Sequence, residues 1–139
     1  MTKSILTAVS IFLFAAATFA GTPPAAVHKA FAQMFPKAVN VKWGKENSKE
    51  WEAEFTLDGK KVSANFSNEG AWVETEKEIS VSELPAKVTA SIKQQNPGCE
   101  ISGAYKIESA VKQTKYEADI KIGKTKKEVI LFEDGTIEK

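Results

Sequence analysis

The sequence predicts an α+β domain: a helix followed by antiparallel strands, written twice, with the strands merging into one shared antiparallel sheet and both helices packed on one face. Three observations predict it. The pentad WEAEF (51–55) returns as YEADI (116–120), each reading aromatic, acid, alanine, acid, large apolar. The interval from Pro24 to Pro36 returns as Pro85 to Pro97, and each interval brackets an apolar stripe at helical spacing. Each half also closes on a glycine turn, NEGAW (68–72) and EDGTI (133–137).

The elements follow in order. Residues 1–20 read as an export signal: Lys3 supplies a positive start, ILTAVSIFLFAAATFA is uncharged and apolar, and Thr18 and Ala20 are small residues placed for cleavage before Gly21. A membrane anchor would need about 20 apolar residues, so the mature chain is expected to be a single domain, 21–139, made of repeats 23–76 and 82–139, without stable membrane insertion after cleavage. In the first helix Val27, Phe31, Met34 and Phe35 form the stripe, with Pro23 and Pro24 in the first turn and Pro36 as the stop. Val88 and Ile92 take the places of Val27 and Phe31 in the second helix, and Ser82 is positioned to cap it.

Alternation then signals strands. Val39, Val41 and Trp43 give the first, with Ile101, Gly103, Tyr105 and Ile107 as the counterpart. Trp51, Ala53, Phe55 and Leu57 give the second, matched by Tyr116, Ala118, Ile120 and Ile122. Asp58-Gly59 is a hairpin signal, and Val62, Ala64 and Phe66 follow it. A last short strand is expected after each closing glycine turn, and ETEKEISVSE (74–83) reads as the linker between halves. One repeat is too small to close a core; two sharing a sheet can. The sheet then has a free face carrying Lys42, Glu52, Glu54, Ser63, Asn65, Glu117, Asp119 and Lys121, polar and mixed in sign, as open faces of antiparallel sheets are.

Composition narrows the function classes. Without Lys3 the basic residues number 18, equal to the acidic ones, so no broad field favours nucleic acid or an anionic membrane. There is no arginine, the usual fork for phosphate. Cys99 is the only cysteine and reads as a small, partly buried hydrophobe. His28 is the only histidine, one residue off the helical stripe, which is too little for a zinc site or a nucleophile–base pair. The pairs Glu52/Glu54 and Glu117/Asp119 have the spacing of glycosidase carboxylates, roughly 5–10 Å, but no aromatic sugar cleft accompanies them. They read as a solvated face paired to lysines across strands. A calcium site made from them would want a loop of spaced Asp and Asn, which is missing. The reading is therefore no catalytic set, no metal and no cofactor. Trp43 and Trp51 fall in the core register, which leaves Trp72 as the tryptophan best placed to anchor a partner. KIGKTKKE (121–128) reads as a solubilising hairpin that guards a sheet edge.

These features resemble the PepSY-like family of periplasmic proteins. The shared elements are the leader, the doubled helix–strands unit, the P…FP…V.W opening, the WEAEF strand, the DGK hairpin and the F…G.W close. The resemblance implies a fold similar to the beta-lactamase-inhibitor protein and a periplasmic or secreted, non-enzymatic module that binds a protein partner. The inhibitors use the sheet's concave face for this. This sequence departs from them in having no disulfide and, as the alternation reads, no aromatic residue on the free face. The expected binding residues are Lys42, Glu52, Glu54, Asn65, Trp72, Glu117, Asp119 and Lys121. A second expectation, from the eight phenylalanines of the chain, is a small-ligand or lipid carrier with a pocket between helices and sheet.

Overall fold

The computed structural model describes residues 21–138; residues 1–20, expected to be an export signal, lie outside the described residues. The elements are α1 (Ala25–Met34), β1 (Val39–Lys45), β2 (Glu50–Leu57), β3 (Lys60–Ser67), β4 (Trp72–Ile79), α2 (Ala86–Gln95), β5 (Glu100–Ser109), β6 (Thr114–Ile122) and β7 (Thr125–Phe132). The strands form one seven-stranded sheet in chain order, every pair antiparallel. No helix among the described residues is long and apolar enough to cross a membrane.

The prolines set the helix limits. Pro24, just before α1, accepts from the N–H groups of Val27 and His28 at 3.0 and 3.2 Å, and Phe35 N–H returns to the Phe31 carbonyl at 2.8 Å before Pro36 ends the run. In α2 the Pro85 carbonyl accepts from Thr89 N–H at 3.0 Å. At its other end both the backbone N–H and the side-chain amide of Asn96 reach the Ile92 carbonyl at 2.9 Å. Ser82 does not cap α2. It lies in a short 3-10 turn, Val81–Glu83, where Ser80 N–H donates to the Glu83 carboxylate at 2.6 Å. Pro85 occupies the position before α2 instead.

The hairpins follow from turn chemistry. Asp58 and Gly59 both have positive φ, 50° and 77°, the backbone of a type I′ turn that matches the strands' twist. Two other glycines tie the sheet to the helices. At Gly70 (φ +87°) an added Cβ would lie 2.6 Å from the Ala26 carbonyl oxygen; at Gly135 (φ +88°) it would lie 2.7 Å from that of Lys87. Each closing turn therefore presses bare backbone against the first turn of its own helix, and only glycine allows the approach.

Residues 74–83 are not a plain linker. Glu74 to Ile79 belong to β4, the central strand, hydrogen-bonded to β3 and β5. Its alternation of acids with Thr75, Lys77 and Ile79 lacks a wholly apolar side, so the strand signal was weak. Pairing on both edges nonetheless satisfies its backbone groups. The second closing strand is also absent as such: beyond β7 the pairing is an isolated bridge between Leu131 and Ile137.

Two cores lie on one side of the sheet. Val27 and Phe31 of α1 pack on Trp51, Ala53, Phe55, Val62, Ala64 and Phe66. Val88 and Ile92 of α2 pack with Leu84 on Ala104, Tyr116, Ala118, Ile120 and Leu131. Register shows that these are the same side: Ala64 is opposite Thr75, Ile79 opposite Ala104, and Ala104 opposite Ala118. The first core is aromatic, with Phe31 meeting the rings of Phe35, Trp43, Phe55 and Phe66 at 5.0–6.3 Å between centroids. The second is mainly aliphatic.

Three bulges change what alternation predicts. One at Asn40 (φ 55°) pairs Val39 with Thr56, away from the core, and leaves Val39 54% exposed. Another, between Ile101 and Gly103, leaves Ile101 on the core side but sends Gly103, Tyr105 and Ile107 to the opposite face. The third, beside Val73, pairs Trp72 with Phe66 and so turns it toward the core.

Candidate functional site

The face opposite the helices is the candidate site. Lys42 and Glu54 face each other across β1 and β2, and Ser63 flanks Glu54 on β3. Glu52 is opposite Asn65, which is opposite Glu74. Ser63 continues to Glu76, and Glu76 to Ile107. On the far half Tyr105 is opposite Glu117, and Glu117 is opposite Ile130. Gly103 is opposite Asp119, and Asp119 is opposite Glu128; Lys121 ends that strand's row, beside Lys126.

Seven of the eight expected binding residues thus share this face: Lys42, Glu52, Glu54, Asn65, Glu117, Asp119 and Lys121. Trp72 does not. The bulge at Val73 places it against the first core, where its indole N–H donates to Thr75 Oγ1 at 2.9 Å. Nor is the face a simple solvated one. Asn65, Ser63, Glu76 and Glu117 are only 5, 8, 8 and 2% exposed. The expected cross-strand lysines are present only for Glu54. The partners of Glu52 are Gly44 and Asn65, and those of Glu117 are Tyr105 and Ile130. The face is also not without aromatics: the bulge in β5 delivers Tyr105 to it, and Phe132, opposite Lys115, joins from β7.

Burial and like-charged neighbours make the acids of this face harder to ionise. Burial, reinforced by Glu46, Glu54 and Glu74, pushes Glu52 up to about 7. Burial, then Glu74 and Glu52, pushes Glu76 up to about 7. Glu117 goes further, to about 9: burial leads, and the charges acting with it, Glu76, Glu128, Asp119 and Glu74, are all negative. Burial also raises Glu54, but Lys42 and Lys61 oppose it. Tyr105, pushed up to about 12 by burial and then by Asp119, donates its hydroxyl toward Asp119 Oδ2 at 3.5 Å. Lys115 is held at 2.9 Å by Glu138.

Sequence reasoning missed Glu74, Glu76, Glu128, Tyr105 and Ile107. The first two lay in the supposed linker, though their period-two spacing was a usable signal. Glu128 was read as part of a lysine-rich turn. Tyr105 and Ile107 could not be placed without the bulge. The chemistry of a nucleophile is not assembled: His28 is exposed on α1 and edges onto Trp43 at 5.2 Å, in the first core, whereas Cys99 packs against the second.

A seven-stranded antiparallel sheet with two helices on one face and a carboxylate-lined opposite face defines the class: an α+β protein whose distinctive chemistry lies on its helix-free face. Residues 49–138 match the family described as "Putative beta-lactamase-inhibitor-like, PepSY-like", and the chain belongs to that family. Solved crystal structures share the fold, three of them as follows. A DUF2874 family protein from Bacteroides uniformis has a TM-score of 0.75 at 20% identity, over 85% of this chain and 88% of that one. One from Bacteroides eggerthii, described as "putative periplasmic proteins", gives 0.76 at 17%, over 86% and 88%. A BLIP-like protein from Bacteroides fragilis gives 0.68 at 21%, over 88% and 87%. No curated protein matches the sequence.

Proposed function

We propose that this is an exported, periplasmic, non-enzymatic binding or regulatory module that recognises a protein partner through the helix-free sheet face. The leader-like composition of residues 1–20, the family and the periplasmic description of the Bacteroides eggerthii relative support export. The observation that carries the reading is the grouping of Glu52, Glu54, Glu74 and Glu76 with the partly exposed Tyr105 and Phe132 on one face. Acids held partly out of water are matched by lysine or arginine from a partner, and the aromatic neighbours supply the apolar contact that makes such an interface hold. We read the two halves as a tandem duplication, supported by the glycine turns that each press on their own helix. The carrier reading gains nothing from the space between helices and sheet, which the aromatic and aliphatic cores fill.

A photo-crosslinking residue at position 54, compared with one at exposed Gln94 on α2, tests the face in intact cells. One specific adduct from position 54, absent from position 94 and lost when Glu52 and Glu74 are both changed to lysine, is expected. Equal labelling from both positions, or an adduct indifferent to the charge reversal, refutes the reading.

A further inference from the structure

The second half of the face holds a feature the partner reading does not use. One carboxylate oxygen from each of Glu117, Asp119 and Glu128 lies within 4.8 Å of the other two. Proximity alone would mean little, since acids gather on many surfaces. Here, however, Glu117 is 2% exposed and its Oε2 has no hydrogen-bond partner, and Oε2 of Glu128 is likewise buried and unpartnered. A buried carboxylate oxygen left without a partner is costly, and two of the three residues of this cluster carry one. The backbone opposite leaves room for this. A Cβ on Gly103 would lie 2.6 Å from Asp119 Oδ2, so only a glycine there lets the Asp119 carboxylate fold across the strand.

We infer that Glu117, Asp119 and Glu128 form a binding site for a hard divalent cation, calcium above all. The donors are oxygen only, which selects against soft, thiolate-seeking or imidazole-seeking metals. The spacing discriminates further. Calcium–oxygen distances of about 2.3–2.6 Å allow ligand oxygens up to roughly 5 Å apart across the ion, whereas magnesium at about 2.0–2.1 Å requires them within roughly 4.2 Å. Three oxygens within 4.8 Å of one another suit calcium's looser and more flexible shell. Carboxylates can bind in bidentate fashion and water completes the shell. The site is supplied by pairing between β6 and β7 rather than by a loop. It stands whether or not a protein docks on the neighbouring acids.

Isothermal titration of the metal-free mature protein with calcium chloride tests it, with thermal unfolding in parallel. The expected result is one ion per chain with a Kd of about 10⁻⁴–10⁻³ M, magnesium weaker by at least about tenfold, and a melting temperature that rises with calcium. Glu117→Gln, Asp119→Asn and Gly103→Ala should each weaken binding by about tenfold or more while circular dichroism shows a folded chain; exposed Glu69→Gln should bind as the parent does. No heat and no thermal shift at about 10 mM calcium, well above that Kd, would overturn the inference. So would binding that survives Glu117→Gln, which would mark a surface acid effect. The titration needs no partner, and Glu52→Lys and Glu74→Lys spare all three ligands, so its failure is distinct from failure of the docking face.

Discussion

β2 and β6 carry nearly the same phrase and bury its two halves differently. Trp51, Ala53 and Phe55 on β2 and Tyr116, Ala118 and Ile120 on β6 all go into a core beneath a helix. The acids between them go to the other face in both strands, yet Glu54 has Lys42 across from it where its counterpart Asp119 has Glu128, and Glu52 lies between Gly44 and Asn65 where its counterpart Glu117 is buried between Tyr105 and Ile130. The lesson is that a strand's own pattern decides which face each residue takes. The neighbouring strands decide what that face does electrostatically. At the fourth place of the pentad Glu54 therefore faces a lysine where Asp119 faces Glu128, and at the second place burial raises both acids, Glu52 to about 7 and the more deeply buried Glu117 to about 9.

The comparison can be strained first at the cores. Phe31→Ala removes the ring on which four others converge, and should cost about 3–5 kcal/mol in denaturant unfolding. Ile92→Ala under β6 should cost about 2–5 kcal/mol. A Phe31 effect smaller than that of Ile92 would show that the aromatic core does not dominate the first half. Next come the glycine turns. Gly70→Ala and Gly135→Ala combine positive φ with a backbone clash, and each should cost roughly 1–3 kcal/mol. Equal losses would support equivalent roles in the two halves.

The acids give a pH signature. Glu52 and Glu76 ionise near 4.5 when unfolded and near 7 when folded. Between those values the folded chain keeps protons that the unfolded chain has lost, so stability is fullest below about 4.5 and is eroded as pH rises through 7. Melting temperature measured from pH 4.5 to 7.5 should fall for these groups' part. Glu76→Gln should flatten the fall, with a gain at pH 7 on the order of 1–3 kcal/mol. Glu52→Gln, whose group is only half-buried, should gain about 1 kcal/mol after solvent screening. Smallest of all, Lys42→Ala removes the exposed lysine opposite Glu54, and should change stability by roughly 0–0.5 kcal/mol.

Much of the fold was legible from residues that act locally. Prolines bound both helices, Asp58-Gly59 turned the first hairpin, and alternation assigned Glu52, Glu54, Glu117 and Asp119 to the face away from the core. The misplacements have a common cause. Val39, Trp72, Tyr105 and Ile107 all lie beyond a bulge, and one unpaired residue reverses every side chain after it. β4 was expected only as a short strand after the NEGAW turn, and its continuation to Ile79 escaped because a central strand can be held by its backbone bonds while its side chains stay charged.

By itself the sequence determined the helices, the hairpins and which acids face away from the apolar side, because each depends on neighbours a few positions along the chain. Only the tertiary structure decided that β4 joins the halves into one sheet, that Tyr105 and Ile107 share the acidic face, and that Glu117, Asp119 and Glu128 converge. Those facts depend on strand register between distant segments, and register is set by pairing and bulges that no single stretch of chain contains.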